Sequence, residues 1–185
     1  MLLVLTLLKL QGFTLTAIAQ VLHEIQGVPG RMESFYAPNQ PLVIVDYAHT
    51  PDALQQVLLA LRPHCRGQLY CVFGCGGDRD RGKRPLMARV AEQYADRVML
   101  TDDNPRFEDP EQIICEIQQG FSGLTPVQIE RDRGKAIQKA WRQAQAGDVI
   151  LIAGKGHEPY QRIAGVDHPF SDAIEVQHLV NAHKA

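Results

Sequence analysis

Apolar and polar positions along the chain alternate between two periods. Residues 42–45, Leu-Val-Ile-Val, form a continuous apolar run of one leucine and three β-branched residues, the pattern of a parallel strand buried on both faces. Further short apolar runs fall at 69–73, 98–100, 127–129 and 149–153. Between the first two the spacing changes to three and four, with Leu54, Val57, Leu58 and Leu61 as an apolar stripe. Thr50-Pro51-Asp52 opens that stretch with a capping side chain, a first-turn proline and a first-turn carboxylate, so it predicts a helix. Helical patterns recur at 85–94, 110–119 and 133–146, the last with the only tryptophan, Trp141, and Ser171 or Asp172 caps a final helix through about His183. Five strands alternating with helices predict an α/β fold, an open, mainly parallel sheet with helices on both faces.

The first 25 residues stand apart from this rhythm. Two helical patterns flank Gln11-Gly12-Phe13, with Thr14 or Thr16 as cap and Ala17, Ile18, Val21, Leu22 and Ile25 as the stripe of the second. Two short helices bury too little to stand alone, so they are expected to pack on the body of the chain or on another domain. Gly27-Val28-Pro29-Gly30-Arg31 breaks any helix. It predicts a boundary between a helical remnant of another domain with its linker, residues 1–30, and an α/β domain, residues 31–185. Residues 1–10 are apolar but too short to cross a bilayer, and they lack the basic segment and cleavage site of a secretory signal. They read as a helix whose preceding sequence lies upstream.

Composition narrows the classes. The 185 residues are 45% hydrophobic and 22% charged, enough for one folded domain and a short appendage. A formal net charge of -2 supplies no global basic field for nucleic acid or anionic membrane. Cys65, Cys71, Cys75 and Cys115 share no metal-ligand spacing with each other or with histidine. No metal site is expected, and buried free thiols in a reducing cytoplasm fit.

Chemistry concentrates where ligands of such sheets bind, beyond the carboxyl ends of the strands. Four polar segments lie there: Asp46-Tyr47-Ala48-His49, residues 74–84, residues 102–106, and Gly154-Lys155-Gly156-His157-Glu158. The second, Gly-Cys-Gly-Gly-Asp-Arg-Asp-Arg-Gly-Lys-Arg, reads as a strand-to-helix turn whose charged burst lies on a surface loop or in a polar cleft. Arg79, Arg81, Lys83 and Arg84 are its candidate anion handles. Gly77 to Lys83 has P-loop spacing, but Arg84 stands where Ser or Thr would hold magnesium, and Asp78 and Asp80 would face phosphate. Asp46 and His49 are either an acid–base pair or turn chemistry. Arg31 is either a solvated charge or a contact to phosphate or ribose across the domain junction. Asn104-Pro105 reads as a turn, while the fork of Arg106 suits a carboxylate and Glu158 offers an acceptor for an ammonium. Arginine forks beside carboxylates suit a zwitterion such as an amino acid. No activated nucleophile emerges, so no catalytic residue is assigned.

Gly30-Arg31-Met32-Glu33, Asp46-Tyr47-Ala48-His49-Thr50-Pro51, Phe73-Gly74-Cys75-Gly76-Gly77-Asp78-Arg79-Asp80, Asp103-Asn104-Pro105-Arg106 and Gly154-Lys155-Gly156-His157-Glu158 together resemble the C-terminal part of the Mur ligases. The resemblance covers nearly the whole chain and points to members that add meso-diaminopimelate to UDP-N-acetylmuramoyl-L-alanyl-D-glutamate in peptidoglycan synthesis. It implies a Rossmann-like domain closing over a central ATPase domain, with ATP and Mg2+ as cofactors. By residue, it implies Arg79, Asp103, Asn104, Pro105, Arg106, Gly154 and Glu158 at the amino acid, and Arg31, Asp46 and His49 on the nucleotide side. The complete P-loop and the central domain of that family are not found in these 185 residues, which therefore read as a C-terminal fragment, inactive by itself, whose partners include the preceding domains. Pro159 after Glu158 is a small departure from the family pattern. The competing expectation is an autonomous α/β module that captures a small anionic or zwitterionic ligand.

Overall fold

The computed structural model describes residues 2–22 and 27–182. Met1, Ile25 and His183, which entered the reading of the helical ends, lie outside the described residues. Strand β1 is Glu33–Phe35, β2 Leu42–Asp46, β3 Leu69–Phe73, β4 Arg97–Leu100, β5 Val127–Ile129 and β6 Val149–Ala153. They form one sheet in the order β1-β2-β6-β3-β4-β5. The five strands expected from the sequence pattern are all parallel to one another, and β1 pairs antiparallel with β2 at one edge. The half-polar Glu-Ser-Phe of β1 carries no apolar run, which is why the sequence pattern missed it. So does the separate hairpin of β7, Tyr160–Ile163, and β8, Val166–Pro169.

Alternation along each central strand feeds two cores. Ile44, Leu69, Cys71, Phe73 and Leu151 face a layer made by α3 (Pro51–Leu61), α4 (Lys83–Tyr94) and α5 (Pro110–Gln118). Val43, Val45, Val72, Ile150 and Ile152 face α6 (Arg133–Gln143), which brings Trp141, and α7 (Asp172–Ala182). Caps end these helices as the residue types require: Thr50, Asp109 and Asp132 each accept a first-turn amide. The N-terminal α1 (Leu2–Leu10) and α2 (Leu15–Leu22), the latter capped by Thr14, bury Ile18 but leave Leu7, Leu10, Phe13 and Leu15 exposed.

One polar pair lies wholly inside. Arg133 in the first turn of α6 donates from Nε and Nη2 to both carboxylate oxygens of Asp172 at 2.7 and 2.8 Å, and Nη2 also reaches the carbonyl of Ala153 at 3.0 Å. Both side chains are 0% exposed. Ser171 therefore caps α7, through its hydroxyl to the amide of Ile174, while Asp172 is a buried counter-ion that ties two helices to the end of β6. Removing one partner strands a charge in a dry interior, which costs about 3–5 kcal/mol, whereas an apolar replacement of both is far milder. Asp172→Ala is expected to lower the urea-unfolding free energy by about that amount, with Arg133→Met/Asp172→Ala recovering most of it. Equal losses in the two variants would show that the pair contributes only packing.

Candidate functional site

The carboxyl ends of β2, β3, β4 and β6 open on a cleft of about 470 Å3 whose lining includes His49, Gly74, Gly76, Arg79, Lys83, Asp103, Asn104, Arg106, Gly154 and Glu158. All four polar segments contribute to it. The loops after β3 and β4 approach so closely that a Cβ on Gly74 would stand 2.1 Å from the Thr101 carbonyl oxygen, and one on Gly77 1.9 Å from that of Pro105. Only glycine permits that approach. The amide of Gly77 donates to the Asn104 carbonyl at 2.9 Å, and Arg106 Nη1 returns a bond to the Gly77 carbonyl at 2.8 Å.

Beneath this contact lies a charge cluster that the sequence reading placed wrongly. Arg84, expected on a surface loop or in a polar cleft as an anion handle, is 0% exposed. It donates to both carboxylate oxygens of Glu108 at 3.0 Å and to Glu116 at 2.6 Å. Arg81 also pairs with Glu108, so neither Arg81 nor Arg84 is a free anion handle. The burst is amphipathic by side chain: its last arginine enters the protein because two carboxylates from the neighbouring helix region meet it there. Part of the stretch's backbone is also engaged within the chain. The amides of Gly77, Asp78 and Gly82 are spent on Asn104, Glu108 and Asp80. Arg79, whose Nη1 bonds only the adjacent Asp78 carbonyl, and Lys83, which donates to the His49 carbonyl, do line the cleft.

Opposite them stand the acceptors. A Cβ on Gly154, at φ 118°, would lie 2.6 Å from Asp103 Oδ2, so this glycine makes room for the Asp103 carboxylate. Glu158 receives Asn104 Nδ2 at 2.8 Å and Lys155 Nζ at 3.1 Å, both on Oε2. Among the described residues, Glu158 Oε1, the Asp103 carboxylate and the Nε–Nη2 edge of Arg106 have no hydrogen-bond partner. Asn104 is committed internally, since its Oδ1 accepts from Lys155 Nζ and from the backbone of Arg162. Pro105 is buried beside the cleft and does not line it. The β7–β8 hairpin covers one side: Gln161 Nε2 donates to the carbonyls of Asp102 and Asp103, while the Arg106 amide donates to the Arg162 carbonyl and the Arg106 carbonyl accepts from the Ala164 amide.

The residues expected on the nucleotide side form a neighbouring surface. Asp46 accepts from the amides of Met32 and Ala48, both at 2.8 Å, and makes no bond to His49. Of the two readings, turn chemistry is the one realised. His49 bonds the Tyr47 carbonyl through Nδ1 and meets the Tyr47 ring edge-on at 4.7 Å, while the Arg31 guanidinium lies 4.7 Å over the same ring. Of Arg31, Asp46 and His49, only His49 reaches the cleft lining, where Tyr47 joins it. Among the described residues no group of three or more His, Cys, Asp or Glu side chains is arranged to hold a metal. Cys75 lines the cleft, but burial pushes its thiol up to about 12, which leaves it unreactive near neutrality.

Fold and cleft together define an open α/β domain with a polar cleft at the strand ends that gathers arginine side chains and carboxylates. More specifically, the chain belongs to the Mur ligase family: the model of the Mur ligase, glutamate ligase domain, matches residues 30–156. A relative from Ectopseudomonas mendocina (strain ymp), a UDP-N-acetylmuramoyl-L-alanyl-D-glutamate--2,6-diaminopimelate ligase, is 57% identical over 173 residues, 94% of this chain and 36% of that protein. A ligase of the same name from Haemophilus influenzae (strain 86-028NP) is 55% identical over 93% of this chain and 35% of its own length. A solved structure of an enzyme of that name superposes with a TM-score of 0.82 at 50% identity, covering 98% of this chain and 37% of the other. The chain thus spans little more than a third of the length of the curated relatives it matches.

The Glu108 cluster yields a pH test. Hydrogen bonds from Arg84, above all, hold the Glu108 carboxyl from the usual 4.5 down to about 2. A carboxyl depressed by folding stabilises the native state fully above its unfolded value, and that stabilisation drains away as the pH falls toward the folded value. Thermal midpoints measured from pH 7 to 2 are expected to fall between 4.5 and 2, and Glu108→Gln is expected to start lower and fall less over that interval. A parallel decline in parent and variant would remove Glu108 as the acid-sensitive group.

Proposed function

We propose that the chain is the amino-acid-binding part of an ATP-dependent ligase that joins meso-2,6-diaminopimelate to UDP-N-acetylmuramoyl-L-alanyl-D-glutamate in the cytoplasm. The observation that carries this reading is the pairing of unfilled groups in one cleft: acceptors at Glu158 Oε1 and Asp103 facing donors at Arg106 and Arg79. A zwitterion satisfies both sets at once. The relatives that cover nearly the whole chain at more than 50% identity carry the name of that activity.

In this reading Glu158 and Asp103 take one ammonium of the diamino acid, and Arg106 and Arg79 take carboxylate. Anchoring one end leaves the second amine directed toward the open side of the cleft, where it meets the activated substrate carboxylate. Asn104 and Pro105 shape the turn, and Gly154 admits the Asp103 carboxylate. ATP with Mg2+ would supply the activation, as an acyl phosphate on the dipeptide substrate. Arg31 and His49, with the Tyr47 ring between them, fit an anionic or aromatic part of a nucleotide at the domain junction. Both oxygens of Asp46 are already engaged, so Asp46 fits as the group that orders the 30–32 turn and not as a direct contact. The division at residue 30 belongs to the same proposal: limited proteolysis is expected to cut near the exposed Gly27, Val28 and Pro29 and leave a stable core beginning near Met32. Resistance of the whole chain would count against a boundary there.

The substrate is tested through Arg106. Lysine lacks the second carboxylate of meso-diaminopimelate, so it leaves the Nε–Nη2 edge unpaired, while the bond to Gly77 persists. A hydrogen bond to a charged group is worth about 1.5–3 kcal/mol, or roughly 10- to 150-fold. The chain is joined to the preceding two-thirds of the Ectopseudomonas mendocina relative, and kcat/KM is compared for the two amino acids. Arg106→Ala is expected to reduce the preference for meso-diaminopimelate by that factor, and an unchanged ratio would overturn the substrate assignment. The 185-residue chain by itself is expected to release no ADP above a heat-killed control, because a complete P-loop with its magnesium-holding Ser or Thr is not found in these residues.

A further inference from the structure

Lys155 is 0% exposed, at the end of a strand whose neighbours are apolar. A lysine in such a place is unusual, since the desolvation of an ammonium is costly unless it is both paired and hydrogen-bonded. Packing alone would be met by a methionine of similar length. Its ammonium instead lies 3.1 Å from Asn104 Oδ1, 3.1 Å from Glu158 Oε2 and 5.7 Å from the centroid of the Tyr160 ring.

We infer that Lys155 is a positioning residue that presents Glu158 to the ammonium of the bound amino acid. An ammonium can only donate, so the Asn104 atom that faces it must be the carbonyl oxygen, and the amide nitrogen is thereby turned toward Glu158. Lys155 and Asn104 then both load Oε2, which leaves Oε1 as the open acceptor. Charge points the same way. The buried Arg133 is matched by Asp172 and the buried Lys155 by Glu158, so each enclosed cation has its own carboxylate. Without Lys155, Glu158 would lose its paired cation and one of its two fixed bonds. This inference rests on the amino-acid-binding reading proposed above only for the identity of the ligand; the internal geometry is independent of it.

Two measurements on the 185-residue chain separate those parts. In ligand-free samples, NMR should find the Asn104 side-chain amide protected from solvent exchange in the parent and at least tenfold less protected in Lys155→Met. Unchanged protection in a folded variant overturns the positioning role. Calorimetric titration with meso-diaminopimelate should then show binding weakened tenfold or more by Lys155→Met and by Glu158→Gln. On the Glu158→Gln background, Lys155→Met should add less than twofold. Fully multiplicative losses would mean that Lys155 acts by packing and not through Glu158. Absence of saturable binding to the parent would sink the amino-acid reading while the exchange data still decide the positioning. Should Lys155→Met fail to fold, Glu158→Gln reads the contact from the other side. The slowly exchanging Lys155 ammonium resonance expected in the parent should broaden or disappear, and its persistence unmoved overturns the inference.

Discussion

The grip of Arg84 on Glu108 is the interaction on which the arrangement of the cleft depends. A parallel sheet delivers all its strand ends to one side but gives the loops there no ladder of their own, so their mutual positions must come from other bonds. Glu108 binds Arg84 and Arg81 through its carboxylate and accepts the amide of Asp78, while its own amide bonds the Pro105 carbonyl. One residue thereby fixes the glycine-rich loop against the turn that carries Asn104 and Arg106. The clustered glycines of that loop are the counterpart: they let two backbones touch, and the buried ion cluster holds them in contact. A surface pair would contribute little to such a task, but here the arginine is fully enclosed and its carboxylate partners are largely so, which makes loss of any one member far costlier than the pair is worth in isolation.

How much of this was readable follows from what each element demands of its residues. Strands buried on both faces require continuous apolar runs, and β2, β3, β4 and β6 declared themselves in that way, while the edge strand β5 showed only as Val-Gln-Ile. Edge strand β1 and the hairpin make no such demand, because one face or both meet water, so Glu33–Phe35 and Tyr160–Ile163 look like loop. The ends of the strands were legible as a site because polar residues clustered after apolar runs, and the structure brings Arg79, Asp103, Arg106, Gly154 and Glu158 into one cleft. What could not be read was the inner side of the same segments. Arg84 and Lys155 look like their charged neighbours until the third dimension supplies Glu116 and Asn104 as partners.

The same distinction sorts contact from support. A polar residue whose every strong atom is engaged within the chain can shape a site but has little left to offer a ligand. Asp46, Asn104 and Lys155 are of this kind, and Arg84, fully enclosed, has both terminal nitrogens engaged. Glu158, Asp103, Arg106 and Arg79 each retain an unpaired atom or edge. The family resemblance treats several of these residues alike, as members of shared motifs, and the hydrogen-bond pattern divides them.

Arg106 shows how support reaches the ligand-facing group. Its backbone stands at φ 55°, in the left-handed region, where a residue with a Cβ is disfavoured by about 1–2 kcal/mol. The strain is offset locally, since its amide donates to the Arg162 carbonyl and its carbonyl accepts from Ala164, both in the β7–β8 hairpin. Its guanidinium is held in turn by the Gly77 carbonyl, on the loop that Glu108 fixes. The direction of the free Nε–Nη2 edge is therefore set from two sides, by a hairpin that lies outside the main sheet and by a glycine loop within the cleft. Neither support touches the carboxylate that the edge would bind, yet moving either one turns the fork away from it. The hairpin, the least legible part of the chain by sequence pattern, thus governs the geometry of the most legible side chain in the site.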